Sequence, residues 1–483
     1  MKDPRRSANS PLSRRRFVMA LGAAGAGMAL GSEGVGLSAR PEELARRLKG
    51  TATVRGAFLY PSTESLERAG YYSWPGWGFD AEGRQTQYIK RIEAIAQKLG
   101  MSIVMNDAPL NDAASVSTFI GEVKQRPPDG LLLIPFKKSE WTSVVKIVQE
   151  TRIPTVILAT TGILLNPSIN ELHREPGVYL IVSLDDLDAV ESGMNMIRTM
   201  RWMREARIVS LTGSGSGERT VEGLGTQVRI FPRARFAEEY ERTGATPEVT
   251  GLARAFLGRA KRVVEPTKPE VLEAAKTYFA CKRVLAEEGG DAIMMDCLGG
   301  IRERQFPPPC MGFMSLRDEG IAAGCQNDLN ATLTMMLLQE LFDRPGFQQN
   351  ASADTEHNHY FGAHCTCASR LKGTTKPPEP YILRNHAESG VGVVPQVLWR
   401  KGQEVTMAHL LPGKTPQMIV YSGEVVRCYD TPPAGGCRTN VEITINELDD
   451  ACDVKGMHQS IIYGNFARQL RAFCQLHGIE AIT

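Results

Sequence analysis

From residue 51 onward, short near-continuous apolar runs alternate with longer segments of helical periodicity, and this alternation sharply limits what the chain can build. Strands are expected over 54–60, 102–105, 130–135 and 154–159, with helices over 86–99, 113–125 and 141–150 between them. A strand that is apolar on both sides of its pleat must be covered on both faces. The pattern therefore predicts a parallel sheet sandwiched by helices. A second run of the same kind starts near Val178, with strands over 178–183, 207–211 and 292–296 and helices over 187–203 and 269–288. The stretch Thr212-Gly-Ser-Gly-Ser-Gly217 lacks both the Walker lysine and the dinucleotide spacing, so a strand–helix turn is expected there ahead of a phosphate cradle.

After Lys372 the texture changes. A proline-rich linker over 374–380 leads into short alternating segments over 392–399, 404–409, 417–421 and 441–445, the pattern of an antiparallel β module, before a last helix over 465–476. The expected fold is α/β. Two doubly wound Rossmann-like domains (51–172 and 173–372) precede a small antiparallel β-barrel-like C-terminal domain (373–483). A chain of 483 residues exceeds what one core serves, which agrees with several domains.

Residues 1–39 read as a twin-arginine signal peptide. Ser13-Arg14-Arg15-Arg16-Phe17-Val18 precedes a short Gly/Ala-rich apolar run. This implies passage of the folded chain through a twin-arginine translocase into a periplasmic or other extracytoplasmic space. The run is too short and too rich in glycine for an anchor, and no later run would span a bilayer, so no stable membrane insertion after export is expected. A net charge of +2, with no basic stripe interleaved with aromatics, excludes nucleic acid as a partner. The ten cysteines fall in the second half of the chain without forming a dense framework. Cys428 and Cys437 flank a turn-rich stretch and would close a hairpin. A chain folded in a reducing cytoplasm needs no such bond, however, and buried free thiols are the default expectation.

His357, His359 and His364 crowd the stretch Asp354-Thr-Glu-His-Asn-His-Tyr-Phe-Gly-Ala-His364, and His458 stands apart in Gly456-Met-His458. A carboxylate with several imidazoles suits a borderline divalent metal. Polar loop residues bonding one another account for the cluster equally well. Zinc-finger, metalloprotease, serine-hydrolase and P-loop spacings are absent. His173, His409 and His477 read as ordinary polar or partly buried histidines.

Six segments, in order, resemble the L-fucose/L-arabinose isomerase superfamily. They are Gly320-Ile-Ala-Ala-Gly-Cys-Gln-Asn-Asp-Leu-Asn330, the Asp354 loop with Gly362-Ala-His364, Arg384-Asn-His-Ala-Glu-Ser389, Lys401-Gly-Gln-Glu-Val-Thr406, Gly436-Cys-Arg-Thr439, and Gly456-Met-His458 leading to Ile461-Ile-Tyr-Gly464. The resemblance runs from about Asp291 to the C-terminus. It implies an exported metal-dependent sugar isomerase that moves a proton between C1 and C2 of an open-chain aldose or ketose. The implied cofactor is a divalent metal, most often Mn2+, with ligands from Gln326, Asp354, His364 and His458. The metal would polarise the carbonyl, and carboxylates would shuttle the proton. Asp354 is the first candidate acid/base, and Asp328 or Glu319 the second. Where the family places a glutamate this chain has Gln326, whose amide can ligate a metal but cannot take a proton. The alternative is a non-catalytic carbohydrate-binding relative on the same fold. A solute-binding receptor ranks third. Trp74 and Trp77 would form an aromatic lip for the sugar or pack as a surface loop, and Arg384, His386 and Glu388 would border the substrate or form a polar cluster. The resemblance also implies a homo-oligomer, with a neighbouring subunit helping to cover the site.

Overall fold

The computed structural model describes residues 50–69, 75–76, 78–184, 187–431 and 436–483. The expected signal peptide at 1–39 and the pair Trp74 and Trp77 lie outside these residues.

Five strands of the first sheet lie side by side in the order Ser102–Met105, Thr53–Leu59, Gly130–Pro135, Thr155–Thr160, Val178–Ser183, all parallel. Their residues alternate between two cores. Val54, Phe58, Leu132 and Ile134 meet Tyr88 and Ile92 of the helix Ala81–Leu99, while Leu59, Leu131 and Leu133 meet Phe119 of Ala113–Gln125 and Val144 of Trp141–Thr151. Helices thus cover both faces, as strands buried on both sides require. Two of the helices are capped as their sequences dictate. Asp80 accepts from Gly83 at one N-terminus, and Asp112 and Ser115 form a capping box at another.

Val178–Ser183, read from sequence as the start of the second run, pairs with Thr155–Thr160 and closes the first sheet. The short helix Asn166–Leu172 makes the crossover between them. The second sheet places Ala323–Cys325, Ala292–Met295, Arg207–Leu211 and Gln227–Phe231 in parallel, with Gly217–Thr220 antiparallel at one edge. The glycine run from Thr212 therefore opens a hairpin strand and not the expected strand–helix turn, and no helix N-terminus is there to receive a phosphate.

The third sheet runs Phe347–Gln348, Ser460–Tyr463, Glu404–Leu411, Gln417–Arg427, Thr439–Ile445, His359–His364, Asn350–Asp354, all antiparallel, with Glu480–Ile482 added in parallel to Gln417–Arg427. Only Gln349 separates its first and last strands in the chain, so the sheet must curl until its edges meet. Strands from 347 to 364 belong to it, which draws this β structure from both sides of Lys372. The fold is mixed α/β, with two mainly parallel sheets, one curled antiparallel sheet and a small sheet of Val394–Val397, Tyr381–Arg384 and Arg262–Val263. Among the described residues no helix is long and apolar enough to cross a membrane.

Candidate functional site

The site begins at the C-terminal end of Ala323–Cys325, the edge strand of the second sheet. A Cβ at Gly324 would meet Thr332 Oγ1 at 1.9 Å, so glycine here lets the following helix, Leu329–Phe342, lie close against the strand. The chain turns between them through Gln326 and Asn327, both left-handed (φ 55° and 54°). Asn327 donates its N–H to the Met295 carbonyl and accepts from the Ser210 hydroxyl, which fixes the turn to the two neighbouring strands. Asp328 caps the helix by accepting from the Ala331 N–H. Gln348 then acts as a strand in miniature: its carboxamide accepts from the Cys325 N–H (2.9 Å) and donates to the Cys325 carbonyl (3.2 Å). That side chain ties the exposed ladder of the parallel sheet to the curled sheet, two residues before Asn350.

Asn350 opens the strand Asn350–Asp354. Its predecessor Gln349 is fully buried, accepts from the Tyr360 hydroxyl (2.6 Å) and donates to the Gln459 carbonyl, so the loop carrying His458 is locked against the same strand. His458 is also left-handed (φ 59°). Its Nδ1 lies 2.8 Å from Asp328 Oδ2 and its Nε2 2.9 Å from Asn350 Oδ1. With Nδ1–H donating to the carboxylate, a neutral ring leaves Nε2 as an acceptor, which the Asn350 carboxamide meets with its NH2. With the amide oxygen there instead, the ring carries both protons. Burial raises the Asp328 carboxyl, but the bonds from His458 and the Ala331 N–H outweigh it and hold the group below its ordinary range.

His364 ends the strand His359–His364 with its ring centre 5.6 Å from that of His458. It is buried, and neither ring nitrogen has a partner among the described residues. Burial first, then the neighbouring His458, Arg317 and His386, push its pKa down to about 3 against the pull of Asp328. His409 reaches the same place from Glu404–Leu411 and bonds the main chain of His458. Burial lowers its pKa, against Asp328.

The structure brings together Asp328, His364 and His458 of the expected set, with Gln326 in the turn two residues before Asp328, and adds Asn350 and His409. It does not bring Asp354 to them. Asp354 stands four residues beyond Asn350, about 13 Å along an extended strand, where it accepts from the main chain of Glu356 and His357 and from His357 Nδ1 (2.9 Å). The His357 bond is the main cause of its lowered pKa. Glu319 is held by Tyr278 and by Lys282 (2.8 Å) on the outside of the molecule. Arg384 spends its fork on Glu265 and Gln396, so it is a structural clamp. His386 bonds Ser389 and lines a cleft of about 460 Å³ with Asp296, Arg302 and Glu388. Asp296 follows Met295 as Gln326 follows Cys325, its partner in register, so the cleft and the Gln326 turn share one sheet edge. No signal marked Asn350. His409 carried one, a histidine on an expected strand, but nothing in the sequence set it beside His458.

Chemically, this is a set of imidazoles and a carboxamide around one carboxylate. A manganese ion prefers anionic oxygen ligands. Here the carboxamide belongs to Asn350, and the Asp328 carboxylate is turned to His458 and to the helix terminus. Among the described residues no three His, Cys, Asp or Glu side chains assemble around a common point for a metal ion. The residues present do not fit the implied ion. Three of the non-glycine left-handed residues, Gln326, Asn327 and His458, gather here, a concentration of backbone strain typical of functional sites. No protein-family model matches this chain, and a comparison with curated proteins finds no match either.

Proposed function

We propose that this chain is an exported carbohydrate-binding protein built on the plan of the sugar isomerases, two doubly wound domains and a curled β domain, with little or no isomerase activity. The observation that carries the reading is the convergence of Asn350 and the Asp328–His458 pair, beside the Gln326 turn, at the C-terminal edge of a parallel sheet, where open α/β sheets receive their ligands. A carboxamide offers a donor and an acceptor together, as a sugar hydroxyl does, and so matches polyols without any charge to neutralise. The N-terminal Arg14-Arg15-Arg16 motif supports export through a twin-arginine translocase, and the resemblance supports a homo-oligomer.

Proton transfer between C1 and C2 needs a group that cycles between acid and base beside the substrate. At this site Asn350 is an amide, which cannot do so, and the Asp328 carboxylate is already bonded to His458 and to the Ala331 N–H. The test is a panel of aldoses and ketoses titrated calorimetrically into the folded protein. One of them is expected to bind, with Gln326→Ala and Asn350→Ala each weakening it by roughly five- to ten-fold, the loss of about one hydrogen bond. After loading with Mn2+, elemental analysis is expected to find no stoichiometric metal and NMR no interconversion. Retained metal with turnover would restore the isomerase, and no binding by any sugar would sink both readings.

A further inference from the structure

Cys365 and Cys437 stand 72 positions apart in the chain, yet their sulfurs lie 3.5 Å from each other. The sheet itself makes the approach. Cys365 directly follows the strand His359–His364, Cys437 lies two residues ahead of Thr439–Ile445, and those strands pair with His364 opposite Thr439. The two thiols thus meet just beyond the last rung of an antiparallel ladder. Cys310 and Val394 pack around them in a small apolar cluster. Cys365 is buried and Cys437 partly exposed, so a reagent in solvent reaches one thiol and not the other. The Cys365 S–H donates to Cys437. That bond draws the Cys437 thiol below its ordinary pKa, while the same contact together with burial pushes the Cys365 thiol up. Cys428, the partner that sequence spacing offered to Cys437, turns its sulfur to the Val397 carbonyl instead.

We infer that Cys365 and Cys437 form a two-thiol redox centre that closes to a disulfide by exchange with a low-molecular-weight disulfide. The Cys437 thiolate, the accessible and more acidic member, attacks one sulfur of the external disulfide and expels a thiolate, leaving a mixed disulfide on Cys437. Cys365 then gives up its proton to that departing thiolate and attacks Cys437 Sγ, expelling the second external thiolate, which takes a proton from water. The two protein thiols lose two electrons, and the external disulfide gains them as two thiols. The sulfurs must close from 3.5 Å to about 2.05 Å. The bond pins the residue that follows His364, so the redox state of the pair bears on the setting of a histidine in the proposed site.

The experiment treats the folded full-length protein with oxidised glutathione, alkylates the remaining thiols under denaturing conditions, and maps the digest by mass spectrometry. A peptide pair joining Cys365 to Cys437 is expected, with two alkylation sites lost and both restored by dithiothreitol. Cys428→Ser should leave that cross-link intact. Cys365→Ala, which keeps the accessible thiol, should trap one glutathione on Cys437, and this reads the first step even if the double-thiol form is slow to close. Full alkylation of both residues after oxidation would overturn the inference, as would a cross-link from Cys437 to Cys428 or from Cys365 to Cys310. A glutathione found elsewhere than on Cys437 in the Cys365→Ala protein would overturn the assignment of the attacking thiol.

Discussion

His364 is the most exacting residue of the site, because it is buried with both ring nitrogens unpartnered among the described residues and lies near His458, Arg317 and His386. The folded chain keeps it neutral, with its pKa pushed from 6.5 to about 3. The unfolded chain is free to protonate it near the ordinary value, so between these limits the unfolded state holds the extra proton. Stability contributed by a neutral His364 is therefore present above pH 6.5 and is lost as pH falls toward 3. His477, bonded through Nε2 to the Met196 carbonyl and also depressed to about 3, acts in the same direction. At about 1.36 kcal/mol per pH unit, His364 alone should cost about 2 kcal/mol between pH 7 and pH 5. Urea unfolding at the two values should show that difference between the wild type and His364→Leu, with the variant the less acid-sensitive. An equal slope for both proteins would mean that solvent reaches the ring.

Elements are joined at this site by single side chains, and Gln348 is the clearest case. Gln348→Ala would leave the N–H of Cys325 without its partner in a buried setting, while the Cys325 carbonyl would keep only the bond from the Asp328 N–H. One orphaned group costs about 1–3 kcal/mol, and a loss of that size is expected in chemical denaturation, with sugar binding weakened as well because the Gln326 turn loses its anchor. Gln348→Glu, which keeps an acceptor for the N–H but sets a carboxylate oxygen against the carbonyl, should not restore stability. The elements themselves were largely legible in the sequence. The apolar run at 130–135 is the strand Gly130–Pro135, and Pro269 with Thr267 and Glu270 announces the capped helix Lys268–Glu288. Pairing was not legible, because it depends on contacts far apart in the chain. Nothing in the run at 178–183 says which sheet it joins. The same limit misplaced the site acid. Asp354 draws the eye as a carboxylate among histidines, but Asn350, Ser352 and Asp354 share one face of a strand. Only the packing of His458, 108 positions away, selects Asn350.

Across the described residues, the three larger sheets share one hydrophobic core. Val54 and Phe58 of the first sheet, Ile208 and Met294 of the second, and Leu410 and Val420 of the third belong to a single packed cluster. The C-terminal helix Ala467–Leu476 completes it with Leu470, Phe473 and Leu476. Gln475 donates from its amide to the Val178 carbonyl (2.7 Å) and accepts at its own carbonyl from the Gly177 N–H, so the end of the chain is stitched to the last strand of the first sheet. Burying those three apolar side chains contributes about 6 kcal/mol at about 2 kcal/mol each, comparable with the whole net stability of many folded chains. A chain ending at Phe466 should therefore not merely lose a terminal helix. It should expose the Val178–Ser183 and Gln417–Arg427 strands together and become protease-sensitive in both the first and the third sheet. Limited proteolysis with mass mapping checks this, since a truncated chain that still protected residues 53–183 would show the first sheet to be stable without the rest. In the intact protein the same shared core predicts that circular dichroism and tryptophan fluorescence follow one urea transition. Separate midpoints would mean that the three sheets fold as independent units.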